Sequence, residues 1–120
     1  MYLKRLFIEN IILSGRLSEK DYIQKVQSLL LGYVVILDIK GKRYTSENFS
    51  AFFMNLQEVH KHITFVCGPA DGIPLAIKNL ANETVSLSDM TLPHELARII
   101  LVEQLYRAKQ IWANHPYHKY

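Results

Sequence analysis

Cysteine is almost absent: Cys67 stands alone in the chain. Neither an intrachain disulfide nor a cysteine-cluster metal site can therefore be built, and Cys67 reads as a small buried hydrophobe. Long apolar stretches are missing too. The longest, residues 29–37, is broken by Gly32 and falls far short of the roughly 20 residues that span a bilayer. Near the start, Lys4 and Arg5 precede an apolar run, but Glu9 and Asn10 interrupt it where a signal peptide needs continuous hydrophobicity. A cytoplasmic protein with no membrane partner is the expectation. There is little excess charge of one sign, with 14 Lys and Arg against 11 Asp and Glu and a formal net charge of +3. That balance permits an RNA partner without requiring one. Glycine-rich phosphate loops are lacking as well: Gly68–Gly72 has neither the GxGxxG spacing of a dinucleotide site nor the GxxxxGK[ST] spacing of a P-loop.

What is present is the composition of a globular chain, 49% hydrophobic and 21% charged over 120 residues, suited to a single domain spanning 1–120. Residues Met1 to Leu13 suit a strand, although a helix fits residues 2–9 nearly as well. Ser18 then caps a helix, with Asp21 in capping-box position and Tyr22, Ile23, Val26, Leu29 and Leu30 at helical spacing, and Gly32 ends it. Tyr33 to Ile39 is a continuous β-branched run, the pattern of a strand buried on both faces of a parallel sheet. Thr45-Ser46-Glu47 opens a second helix carrying Phe49, Phe52, Phe53 and Leu56. Ile63 to Cys67 is another buried strand, a short helix covers Leu75 to Leu80, and a further strand is centred on Val85. Alternating strands and helices predict an α/β fold, a mostly parallel sheet with helices on both faces. Three strand ends, Leu37-Asp38, Cys67-Gly68 and Leu87-Ser88, then share one edge, and the carboxyl edge is where such sheets bind ligands.

The last third of the chain is the least generic. Hydroxyl-bearing Ser86, Ser88 and Thr91 follow a short strand, and Pro93 and Glu95 give the start signals of a helix. From Leu96 to Tyr106 that helix is apolar on more than one face, so it is buried from two sides. A second copy of the chain supplies the other side most simply, which predicts a homodimer; one central helix in a monomer is the alternative. In the loop from Gly68 to Gly72 glycine permits close approach of backbone to a phosphate-free ligand such as adenosine, or the segment is an ordinary turn. At the end, His115-Pro116-Tyr117-His118 offers two histidines without a third ligand, a poor zinc site, so no metal is expected. His118 can serve as a general base and Tyr117 can stack on a nucleobase; an ordinary chain end is the alternative.

At Leu87 to His94 (LSDMTLPH), in the following LVEQLYRA, and above all in the terminal NHPYHK, the sequence resembles the RlmH family of SPOUT-class methyltransferases. Leu37-Asp38-Ile39 with Gly41-Lys42, and Gly68 to Gly72, match further family elements in the same order, so the resemblance covers about 33–119. It implies a C-terminal trefoil knot and a homodimer. It also implies S-adenosylmethionine held by Leu37, Gly68, Pro69, Ser88, Asp89, Met90, Thr91, Leu92 and Pro93. The implied reaction is methylation of N3 of a pseudouridine in 23S ribosomal RNA. Tyr117 and His118 would act at the target base, with His115 and Lys119 also facing RNA. Two departures stand out. Pro69 replaces a family glycine, and family members carry a further strand and most of a helix ahead of the position of Met1. The alternative is therefore a shortened, catalytically impaired homologue that dimerises or associates with the ribosome without turnover.

Overall fold

The computed structural model describes residues 6–9, 18–68 and 73–114. Among them four strands alternate with four helices: β1 Leu6–Glu9, α1 Glu19–Leu29, β2 Tyr33–Arg43, α2 Ser46–Val59, β3 Ile63–Cys67, α3 Leu75–Lys78, β4 Glu83–Ser86 and α4 His94–Trp112. Local chemistry sets the boundaries. Ser18 accepts a hydrogen bond from the Asp21 backbone N–H at 3.1 Å and caps α1, and Thr45 accepts from Asn48 N–H at 3.0 Å and caps α2; each satisfies an orphan donor of the first turn. Between α1 and β2, Gly32 has φ +66°, and a Cβ there would lie 2.1 Å from the His62 carbonyl oxygen, so only glycine fits the turn.

The sheet order is β1-β3-β2-β4 and every pairing is parallel. Side chains alternate across it as strand geometry requires. Val35, Ile63, Phe65, Cys67 and Val85 face α2 and α4, where Phe53 packs on Phe65 with ring centroids 6.1 Å apart. Val34, Ile36 and Val66 face α1 and α3, against Tyr22, Val26 and Ile77. The expected helices on both faces of a parallel sheet are thus present. Two polar side chains inside are paired: Thr64 Oγ1 donates to the Leu31 carbonyl at 2.8 Å, and Ser50 Oγ donates to the Ala108 carbonyl at 2.6 Å, joining α2 to α4.

Three elements differ from the expectation. Helix α3 ends at Lys78 rather than Leu80, whereas the first strand, expected within Met1–Leu13, agrees over Leu6–Glu9 and its remainder lies outside the described residues. Leu29 is 40% exposed instead of packed; it shares the face of Tyr22 and Val26 but is the last residue of α1, at the end of the helix. The largest difference is β2, which does not stop at Ile39 but runs on to Arg43, where Lys42 and Arg43 pair with Val85 and Ser86 of β4. Backbone pairing at a sheet edge does not need apolar side chains, so the end of the β-branched run was not the end of the strand.

Helix α4 shows the two-faced pattern in detail. Leu101, Leu105 and Ala108 are buried against the sheet side, whereas Leu96, Ile99, Val102 and Tyr106 are 43–65% exposed on the other. No helix among the described residues is long and apolar enough to cross a membrane.

Candidate functional site

The site begins with an irregularity in β2. Leu37 pairs with Val85, and so does Lys42 after a register shift, so residues 38–41 leave the ladder and return to it. Asp38 holds this excursion by accepting a hydrogen bond from Lys40 N–H at 3.2 Å. Gly41 closes it: a Cβ there would lie 2.7 Å from backbone atoms of Thr84 and Val85, so the strands meet only because the side chain is absent. The excursion carries Leu37, Asp38 and Ile39 along one wall of a cleft of about 740 Å³.

The ends of β3 and β4 supply the rest. Cys67 and Gly68 reach the cleft from β3, and a Cβ on Gly68 would lie 2.3 Å from Ile73 Cγ1, so the returning chain packs directly on bare backbone. After β4, Ser86 Oγ donates to the Ser88 carbonyl at 2.8 Å, and Ser88 Oγ accepts from Met90 N–H at 2.9 Å. These bonds fold the loop on itself before Thr91, Leu92 and Pro93 lead into α4.

Of the residues expected to hold a cofactor, Leu37, Gly68, Ser88, Met90, Thr91, Leu92 and Pro93 come together on this cleft. Asp89 does not line it: it projects outward from the turn and pairs with Arg43, both side chains being about 70% exposed. Pro69, His115, Tyr117, His118 and Lys119 lie outside the described residues. Asp38 and Cys67 stand on the cleft as the strand ends implied, whereas two lining residues, Ile73 and Lys78, were not singled out from sequence. Lys78 carried no signal, since it arrives from another helix.

Two groups in the wall are electrostatically perturbed. Lys78 Nζ lies 2.8 Å from Asp38 Oδ2, and this hydrogen bond, joined by the one from Lys40 N–H, holds the Asp38 carboxyl below its usual range although burial works against it. Burial pushes the Cys67 thiol up to about 11, with the Arg98 charge opposing. Cys67 is therefore a neutral packing group and not a nucleophile.

The donor set suits a phosphate-free nucleoside cofactor. Leu37, Ile73, Leu87 and Leu92 offer apolar wall for a base, bare backbone is exposed to approach at Gly68, and among the described residues only one ammonium, that of Lys78, is available where a phosphate would ask for several. The volume falls within the roughly 300–1,000 Å³ usual for small-molecule clefts. Among the described residues no group of three or more His, Cys, Asp or Glu could hold a metal ion.

A parallel sheet with a ligand-sized cleft at three strand ends, entered by a loop and closed by a C-terminal helix, is the arrangement of a SPOUT-class protein, and residues 10–118 match the family described as predicted SPOUT methyltransferase. The chain belongs to that family. Its relatives include proteins named ribosomal RNA large subunit methyltransferase H. That of Prochlorococcus marinus strain NATL1A is 41% identical over 122 residues, covering 99% of this chain and 82% of the relative. That of Nitrosomonas eutropha is 47% identical over 87 residues, covering 72% of this chain and 56% of the relative. That of Legionella pneumophila strain Lens is 45% identical over 86 residues, covering 72% and 55%. Against the last two, the matched part of the chain spans just over half of the relative's length. The resemblance read from LSDMTLPH and NHPYHK is borne out.

Proposed function

We propose that this chain is an S-adenosylmethionine-dependent methyltransferase acting on large-subunit ribosomal RNA, at N3 of a pseudouridine in the 23S molecule. The observation that supports it is the convergence of Leu37, Gly68 and the 88–93 loop on one cleft, formed at the β2 excursion and the carboxyl ends of β3 and β4. A ribosomal RNA target also sets its work in the cytoplasm. The C-terminal knot belongs to the same proposal, as does a homodimer formed through the exposed face of α4, where Leu96, Ile99, Val102 and Tyr106 make one apolar stripe.

Bound S-adenosylmethionine would supply an electrophilic methyl group on sulfonium sulfur. The chain's part is to place and isolate the reactants. Leu37, Ile73 and Leu92 exclude water from the nucleoside side of the cleft. The pre-folded 88–90 turn fixes the other side, so that acceptor and methyl can be held in line, the largest single source of rate in a reaction of this type. Tyr117 stacks on the target base, and His118 accepts the N3 proton, an assignment favoured by the titration range of imidazole. His115 and Lys119 face the RNA, the lysine beside phosphate.

Calorimetric titration of S-adenosylmethionine into the purified chain, followed by methylation assays on large ribosomal subunits, tests this reading. Micromolar affinity, about −7 to −8 kcal/mol, with methyl incorporation that disappears on truncation after Ala113, is the expected result. The His118→Ala variant should bind cofactor normally and turn over more slowly. A folded dimer that bound no S-adenosylmethionine would instead support a non-catalytic relative that keeps only the fold.

A further inference from the structure

Among the described residues, Asp38 and Lys78 are the only formally charged ones that line the cleft. Their ion pair is half-sheltered, with side chains 18% and 37% exposed. Stability is a weak reason for such a pair, since partly exposed ion pairs contribute little and sheltered ones lose much of their attraction to desolvation. Each partner also has bonding capacity to spare. An ammonium has three donors, and Asp38 accepts only from Lys40 N–H and Lys78. The two halves are held differently: Asp38 is fixed by the β2 excursion, whereas Lys78 is the last residue of the four-residue α3 and sits on a flexible four-carbon stem.

We infer that Asp38 and Lys78 form a subsite for a zwitterionic amino-acid group, Asp38 taking an α-ammonium and Lys78 an α-carboxylate. The inference rests on the cofactor reading above and assigns the amino-acid end of S-adenosylmethionine to this wall. A zwitterion can enter without changing the charge of the cleft, because each protein charge exchanges its partner for a ligand group of the same sign. An anionic ligand such as a nucleotide would gain Lys78 but confront Asp38, and a neutral nucleoside would leave the pair closed. The subsite therefore discriminates between ligands that share the adenosine moiety.

Titration calorimetry on the full chain with three ligands tests the assignment: S-adenosylmethionine, its decarboxylated form, and methylthioadenosine, which lacks the amino-acid end altogether. Wild-type protein should bind S-adenosylmethionine at least about tenfold more tightly than the decarboxylated form, the effect of one charged hydrogen-bond partner. Lys78→Gln should abolish that preference while leaving methylthioadenosine affinity unchanged, and Lys78→Arg should restore part of it. Asp38→Asn should weaken both ammonium-bearing ligands and spare methylthioadenosine. Wild-type binding of methylthioadenosine with no preference between the other two would overturn the subsite and leave the cofactor reading standing. Equal losses for all three ligands in both variants would show that the pair merely ties α3 to β2 and would also overturn it. Binding of none of the three would sink the cofactor reading and the subsite together.

Discussion

Replacing Gly41 with alanine probes the feature on which the cleft depends. The added Cβ would lie 2.7 Å from the carbonyl carbon and oxygen of Thr84 and the carbonyl carbon of Val85, all backbone atoms of β4 that cannot rotate away. Relief requires β2 and β4 to part where Lys42 and Arg43 rejoin the ladder. Overpacking of this kind costs about 1–3 kcal/mol, and the reduced freedom of the unfolded chain returns about 0.4–1 kcal/mol, leaving a net loss of at most about 2.6 kcal/mol and about 1.3 kcal/mol at the middle of both ranges. For a chain of this length that lowers Tm by roughly 4–10 °C. Because the same junction sets the excursion that carries Asp38 and Ile39, S-adenosylmethionine affinity of the folded protein should fall as well. Gly32→Ala is the matched control. It forces φ +66° on an L-residue and sets its Cβ 2.1 Å from the His62 carbonyl oxygen, but at the opposite end of the strands, so Tm should drop with cofactor affinity unchanged. Thermal unfolding by circular dichroism and calorimetric titration measure both effects. A Gly41→Ala protein with wild-type Tm and wild-type affinity would refute the argument that bare backbone at this position shapes the cleft.

Cys67, with its thiol pushed up to about 11, should resist iodoacetamide at pH 8 in native protein and react once unfolded; rapid native labelling would contradict its burial. The Asp38 carboxyl is held below its usual range by Lys78, so the stability it lends is complete above the unfolded value near 3.9 and is lost as pH falls through the lower folded value. Acid titration of Asp38→Asn should accordingly show a flatter fall of Tm below about pH 4 than wild type. Val102→Glu, on the exposed face of α4, should shift sedimentation from dimer to monomer without lowering Tm of the monomer, and an unchanged dimer would place the contact elsewhere. Ser18→Ala removes the bond to Asp21 N–H and should cost about 1 kcal/mol in chemical denaturation.

How much of this was legible before the structure depended on the range of the physics involved. The cap Ser18, the helix start at 45–47 and the buried run at 63–67 are written in adjacent residues and stand where the sequence put them; of the run at 33–39 only Val34, Val35 and Ile36 are buried, and Ile39 is 48% exposed where the strand leaves the ladder. The two-faced character of α4 was also legible, because it follows from spacing alone, but which face meets the sheet required the packing of Leu101, Leu105 and Ala108. Gly41 was visible only as part of a short motif. Its purpose lies in the backbone of Thr84 and Val85, which no local pattern reports. Lys78 was invisible for the same reason: its meaning comes from Asp38, on a different element. The 88–93 loop was placed on the cleft by resemblance, and the outward turn of Asp89 toward Arg43 shows the limit of assigning a whole segment to one ligand.

The loops of the cleft are closed by their own bonds, and this shapes how a ligand must bind. Asp38 holds the β2 excursion through Lys40 N–H, Ser86 and Ser88 hold the 86–90 turn, and Ile73 seals Gly68. Ordering these segments therefore belongs to folding and not to binding, so the entropic penalty of association is small and affinity depends on a few directed contacts. Among the described residues, the Asp38–Lys78 contact is the cleft interaction in which both partners must change neighbours when a zwitterion enters. A cleft whose turns are held by their own bonds, and whose one ion pair among the described residues can exchange, recognises shape through its walls and charge through that pair. The adenosine moiety should then contribute similarly across all adenosine ligands, and discrimination among them should reside in Asp38 and Lys78.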